Sequence, residues 1–345
     1  MAIDLRGQLQ KILGDTYVLD RELEAGGMAR VFTATESALG RRVVIKVLPP
    51  EIAAGVKVER FKREIQFLAR LNHPHIVPML AAGGEGALSY YVMPFMQGES
   101  LRARLLQRGA LPQTQAVRTM REVASALTFA HENGIVHRDI KPDNVLLIGG
   151  SAMVTDFGVA KALSVSTGDG DPNSLTSLGI ALGTPSYIAP EQATADPTTD
   201  HRADIYSLGA MAYEMIAGRT PFSARSPQEM LVAHISQTPV PLIERKPDIS
   251  PALNDLVMRS LEKSPDLRPQ TAAEIVDLLD AIVTPSGETA IKNSQTQLPP
   301  ELIDTSPGAT ASAASTTSYT LYLLAGAVAI IAIGVLIAKW LIARG

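Results

Sequence analysis

Ile135-Val136-His137-Arg138-Asp139-Ile140-Lys141-Pro142-Asp143-Asn144 is the stretch on which the rest of the chain is read. An apolar pair leads into five chemically distinct polar residue types, and Pro142 denies the segment a helix interior, so Arg138 to Pro142 is predicted to be a loop. Twelve residues beyond Asn144 stands Asp156-Phe157-Gly158. The apolar residues Val145, Leu146, Leu147 and Ile148, then Met153-Val154, predict a hairpin between the two. A loop bearing Asp139 and Asn144, a hairpin and a further aspartate together offer hard oxygen donors suited to metal-bound phosphates.

Composition narrows the options. With 46% hydrophobic and 19% charged residues among 345, the chain has the make-up of a globular protein with a sizeable core. A net charge of −4, with no basic run or aromatic-basic stripe, argues against a nucleic-acid binder. The absence of cysteine excludes disulfides, zinc-thiolate sites and a cysteine nucleophile. The first fifteen residues hold charges and no apolar core, so no signal peptide is expected, and residues 1–16 read as a frayed lead-in or partial strand.

Working outward, Tyr17 to Phe32 predicts a strand that turns on Gly26-Gly27 and returns through Val31-Phe32. Arg42 to Leu48 is rich in β-branched residues; period two puts Val43, Ile45 and Val47 on one face and Val44, Lys46 and Leu48 on the other. Glu59 to Leu71 carries Phe61, Ile65, Leu68 and Leu71 at helical spacing, with Glu64 beside that stripe. His73 and His75 follow in a turn, where packing or capping suits them better than metal binding. Leu101 to Asn133 is helical with a break at Leu111-Pro112, and Ala116 to His131 is expected to be the central helix of a helical unit. Residues 284–318 turn to Ser, Thr, Pro, Ala and Gln without periodicity, a linker pattern. Residues 319–338 are twenty uncharged residues, about 30 Å as a helix and enough to cross a bilayer. Ala325, Ala329 and Ala332 offer a small-residue face for pairing with a second copy.

The pattern H-R-D-x-x-x-x-N followed by D-F-G resembles the catalytic and metal-binding loops of protein kinases. The resemblance runs in order over residues 17–283, and the G-G-M core of the glycine loop is similar to the bacterial branch of the eukaryote-type (Hanks-type) serine/threonine kinases. It implies an α+β, bilobal fold, a small antiparallel sheet with one helix and a larger helical lobe, to which the uncharged run over 319–338 is expected to add a single transmembrane helix. Asp139 is implied to orient the substrate hydroxyl, Lys141 to neutralise the γ-phosphate, and Asn144 and Asp156 to hold Mg²⁺, with Mn²⁺ as an alternative. Lys46 is implied to reach the ATP phosphates while paired with Glu64. Leu23, Gly26, Gly27, Val31, Val44, Met93, Pro94, Met96 and Ser100 are implied to line the nucleotide site, with Glu99 as an alternative to Ser100 at the ribose. The glycine loop departs from the family's G-x-G-x-x-G, since Glu24 takes the first glycine position and Ala29 the third.

Asp156 to Glu191 spans 36 residues, hydroxyl-rich in the middle, and resembles an activation segment ending in G-T-P-S-Y-I-A-P-E. Thr184 is implied to face Asp139, and Arg138 is a ready partner for a phosphate. Thr176 is the first candidate for autophosphorylation, with Ser174, Ser177 and Thr167 as alternatives. Asp204 is expected to cap a helix and brace the catalytic loop, Arg268 to pair with Glu191, and His137 to pack beneath the loop. The function implied is transfer of the ATP γ-phosphoryl group to protein Ser/Thr hydroxyls in bacterial signal transduction. The rival readings are a membrane-bound scaffold that binds without catalysis, favoured only by Glu24 and Ala29, and a small-molecule kinase. The expected location is the membrane, single-pass, with the kinase domain cytoplasmic at a bacterial inner membrane. The positive flank Lys339 and Arg344 argues for the opposite orientation, while use of ATP argues for this one.

Overall fold

The structure is a computed structural model describing residues 4–23, 30–48, 57–86, 88–159 and 185–283. Its first element overturns the expectation of a frayed lead-in. Leu5–Leu13 is a helix, α1, whose first turn is capped by Asp4 accepting from the Gly7 amide at 3.0 Å. Leu5, Leu9, Ile12 and Leu13 fall on one face, and Leu9 and Leu13 are buried. Gln10 ties the helix down: its side-chain amide donates to the Tyr17 carbonyl at 2.9 Å and accepts from the Leu19 amide at 2.9 Å.

Behind α1 lies an antiparallel sheet of β1 (Tyr17–Leu23), β2 (Arg30–Glu36), β3 (Arg41–Val47), β4 (Ala81–Glu85) and β5 (Leu88–Pro94), in the order β1-β2-β3-β5-β4. The alternation in β3 is real: Val43, Ile45 and Val47 are buried with Leu9, Leu13, Phe32 and Val92 on the α1 side. The opposite face packs on α2 (Val58–Leu68) through Phe61, Ile65 and Leu68.

The remainder is mainly helical. A short hairpin, β7 (Val145–Ile148) and β8 (Ser151–Val154), turns on Gly149-Gly150, both at positive φ as a two-residue hairpin turn requires; β6 (Glu99–Ser100) adds a third strand. Then come α3 (Leu101–Arg108), α4 (Gln113–Glu132), α5 (Pro190–Ala193), α6 (Arg202–Ala217), α7 (Pro227–Ser236), α8 (Leu242–Arg245), α9 (Pro251–Ser260) and α10 (Ala272–Val283). The most continuously buried helix of this lobe is α6, buried at every position from Ala203 to Ile216. The helix expected to be central, α4, does lie between α6, α10 and β8, burying Val117, Met120, Val123, Ala124 and Leu127 and leaving Arg118 and Glu132 to solvent. An apolar helix with no polar face is the signature of the buried position, and α6 has it.

No helix among the described residues is long and apolar enough to cross a membrane. The linker expected over 284–318 and the span expected over 319–338 lie outside them.

Candidate active site

The loop Val136 to Lys141 is held from below. Asp204, fully buried near the start of α6, accepts the His137 amide at 2.8 Å and the Arg138 amide at 2.7 Å, and lies 2.8 Å from His131 Nε2. Burial works to raise its carboxyl, but His131 and the His137 amide outweigh burial and hold it below the usual carboxylate range. These bonds compensate for a left-handed backbone at Arg138, φ 67°. Asp204 therefore braces the loop but does not cap its helix, which starts after His201 without a side-chain cap; Asp200, just before it, accepts the Arg202 amide at 2.8 Å.

His137 is buried, with its ring edge on Phe157 at 4.7 Å between centroids. Its Nδ1 accepts the Asp139 amide at 3.2 Å, so Nε2 carries the proton to the Thr155 carbonyl at 2.9 Å. Neither nitrogen is left for a reacting hydroxyl. Asp139, by contrast, is half exposed: Lys141 Nζ and Asn144 Nδ2 lie 2.8 and 3.0 Å from its Oδ2. Burial would lower the Lys141 ammonium, but Asp139 overcomes it and the group is held above its ordinary value, hence charged. Asn144 spends its amide protons on Asp139, leaving its side-chain carbonyl without a partner among the described residues.

Asp156 enters from the end of β8, at φ 66°. Gly158 follows at φ 66°, and a Cβ there would come within 2.4 Å of Leu68 on α2, so this turn needs glycine twice over. Two side chains grip Asp156: Lys46 Nζ at 2.5 Å from Oδ2 and the Tyr91 hydroxyl at 2.9 Å from Oδ1. Burial raises this carboxyl, while Lys46 and Tyr91 outweigh burial and leave it lowered. The expected Lys46–Glu64 pair is absent. Glu64 is half buried on α2 and makes no hydrogen bond or ion pair with the described residues, and Lys46 pairs with Asp156 instead.

Sheet register aligns the nucleotide-side residues. Leu23 faces Val31, Val31 faces Lys46, and Lys46 faces Tyr91 across four strands; Val44 faces Met93 one step along. Directly paired residues share a face, so Leu23, Val31, Val44, Lys46 and Met93 lie on one side. Met93 is buried and accepts the Thr155 hydroxyl on sulfur at 3.4 Å. Pro94 ends β5 and Met96 follows it, half buried. Ser100 is otherwise engaged: its hydroxyl caps α3, accepting the Ala103 amide at 3.1 Å. Glu24, Gly26, Gly27, Ala29, Thr184 and the candidates Thr176, Ser174, Ser177 and Thr167 lie outside the described residues.

Downstream, Gln192 on α5 donates to the Arg138 carbonyl at 3.0 Å, joining that helix to the Val136–Lys141 loop. Glu191 pairs with Arg268 at 2.6 and 2.7 Å. Arg102 gathers Asp143, Tyr187 and Glu214 around one guanidinium. Reading of the sequence missed Gln192, Arg102 and Tyr91, because each acts through a partner tens of residues away.

These features can be compared with known proteins. The family model described as protein kinase domain matches residues 17–278. This chain belongs to the protein kinase family. It is 39% identical over 269 residues to the serine/threonine-protein kinase PknB of Mycobacterium leprae, covering 76% of this chain and 42% of that one. It is 38% identical over 280 residues to the serine/threonine-protein kinase pkn2 of Myxococcus xanthus, covering 77% and 33%. The chain thus spans less than half the length of these relatives. Among solved structures, Rad53 residues 1–466 in complex with AMP-PNP superposes with a TM-score of 0.61 at 25% identity, over 76% of this chain and 64% of that one.

Proposed function

We propose that the chain is a serine/threonine protein kinase, transferring the γ-phosphoryl group of ATP to protein hydroxyls in bacterial signalling. The observation that carries this is the convergence of Asp139, Lys141 and Asn144 on one side and Asp156 with Lys46 on the other, within a kinase-family fold. The serine/threonine class is supported by Lys141, two residues after Asp139, and by the names of the relatives.

The donor set fits a divalent cation. Among the described residues no three His, Cys, Asp or Glu side chains gather to hold a metal alone. Asp156 and the uncommitted carbonyl of Asn144 are hard oxygens, and Mg²⁺ commonly takes one or two protein oxygens with phosphates and water. When bound there, Mg²⁺ supplies charge neutralisation at the phosphates. The chain does the rest by positioning. Asp139, exposed and aligned by Asn144, accepts the hydrogen bond of the incoming hydroxyl and orients it. Lys141, held charged beside it, meets the charge on the transferred group. Lys46 moves from Asp156 to the phosphates and Glu64, which has no partner among the described residues.

Activation by phosphorylation of Thr176, or of Ser174, Ser177 or Thr167, and anchoring of the kinase to the inner membrane by residues 319–338, complete the proposal. The test is labelled ATP with Mg²⁺ on the full chain beside Asp139→Asn, followed by mass spectrometry of residues 160–184 and by membrane fractionation. Phosphate transfer falling about 10²- to 10⁴-fold in the variant, at unchanged melting temperature, supports the catalytic reading. Equal incorporation in both proteins overturns it, and a protein that binds ATP without transferring phosphate is a scaffold.

A further inference from the structure

Period two places Tyr91 on the inner face of β5 and asks only for an apolar residue there. The chain spends a phenol, buried to 4% exposure, in that position. A hydroxyl taken out of water needs a partner, and the one it has among the described residues is Asp156 Oδ1, 2.9 Å away and 65 positions along the chain. Lys46, the register partner of Tyr91 on β3, holds the other oxygen. One rung of the sheet therefore presents two donors to the two oxygens of a single carboxylate.

The donors differ in what they can do next. Lys46 is long and flexible, and Glu64 on α2 makes no hydrogen bond or ion pair among the described residues. Tyr91 is a rigid ring in the core, with no second acceptor among the described residues.

We propose that Tyr91 is a positioning residue of the metal site: its hydroxyl pins Oδ1 of Asp156, so that Oδ2, once released by Lys46, is presented to the divalent cation. This rests on Asp156 being the metal-holding carboxylate of the proposed function. Hydrogen bonds to a ligating carboxylate commonly tune metal affinity by about 10- to 100-fold.

The test is calorimetric binding of ADP to the full chain in EDTA and in Mg²⁺, for the wild type, Tyr91→Phe, Asp156→Asn and the double variant. Tyr91→Phe removes one oxygen and keeps the ring, and thermal melting checks that it folds. The expected result is metal-free ADP affinity within about twofold of wild type and a Mg²⁺ enhancement reduced about tenfold. In the Asp156→Asn background, Tyr91→Phe should then change nothing further. An unchanged Mg²⁺ enhancement in Tyr91→Phe overturns the inference, as does an equal loss of ADP affinity with and without metal, which is what a packing role produces. A wild type whose ADP affinity ignores Mg²⁺ removes the metal site itself, and the role of Tyr91 with it.

Discussion

Glu191 and Asp156 are both acids withdrawn from water and paired with a basic side chain, and the two lobes hold them in opposite ways. In the helical lobe Arg268 spends all five N–H groups: two on Glu191, at 2.6 and 2.7 Å, and three on the carbonyls of Glu262, Arg202 and Lys263, at 2.8, 2.9 and 3.0 Å. Asp204 is likewise closed on backbone amides. At the sheet, Asp156 is held by two side chains, one of them a flexible lysine, while Glu64 has no partner among the described residues. Bonds to backbone cannot be exchanged without moving the fold, whereas a flexible lysine on a single carboxylate can change partner at little cost. The helical lobe is a fixed platform, and the sheet side carries the part built to rearrange.

The largest expected effect lies in the platform. Arg268→Met leaves the Glu191 carboxylate buried without its charge partner, and should cost about 3–5 kcal/mol in denaturant unfolding. Arg268→Lys should recover little of it, because an ammonium cannot make the planar two-point contact or reach three carbonyls as well. A loss below about 1 kcal/mol, the value typical of a solvated pair, would break the comparison.

A second platform group fixes one protonation state. His234 is fully buried, with Nδ1 2.9 Å from the Tyr206 hydroxyl and the Lys263 ammonium 2.7 Å from its own carbonyl. Burial first, then the Lys263 charge, lower its pKa from an ordinary 6.5 to about 4. Because the folded value lies below the unfolded one, the neutral form favours folding. Its contribution is complete above about pH 6.5 and is lost as pH falls toward 4, a change of about 3 kcal/mol. Unfolding free energies at pH 7.5 and 4.5 should differ more in wild type than in His234→Gln by an amount of this size. Equal differences would mean that the platform admits a proton there.

Much of this was legible beforehand, and what was not has physical reasons. Alternation in Val43 to Leu48 named the faces of β3 because a strand has a period of two whatever surrounds it. The Arg268–Glu191 pair and the packed His137 came through family resemblance, and the geometry has both. The helix Leu5–Leu13 had its signal in Leu5, Leu9, Ile12 and Leu13, but nine residues are too few for periodicity to outweigh the mixed polar positions between them. The partner of Lys46 could not be read, since sequence lists donors and acceptors but does not say which of two carboxylates lies nearer in the resting protein. Tyr91 shows the same limit: the pattern names the face it occupies and says nothing about what its hydroxyl meets.

The smallest expected effect is the one that sharpens the comparison most. If the pair at the sheet is exchangeable and Glu64 waits unpartnered, Glu64→Gln should leave the nucleotide-free protein within about 0.5 kcal/mol of wild type, as for a substitution outside any network. The same variant should slow phosphoryl transfer about 10- to 100-fold, the worth of one charge-assisted hydrogen bond gained on the way to the reaction. Melting temperature without nucleotide and turnover with it therefore separate, whereas for Arg268→Met they fall together. Should Glu64→Gln cost more than about 1 kcal/mol without nucleotide, Glu64 has a standing partner in the resting state. Lys46 would then be shared, not lent, and the sheet side would be as fixed as the platform beneath it.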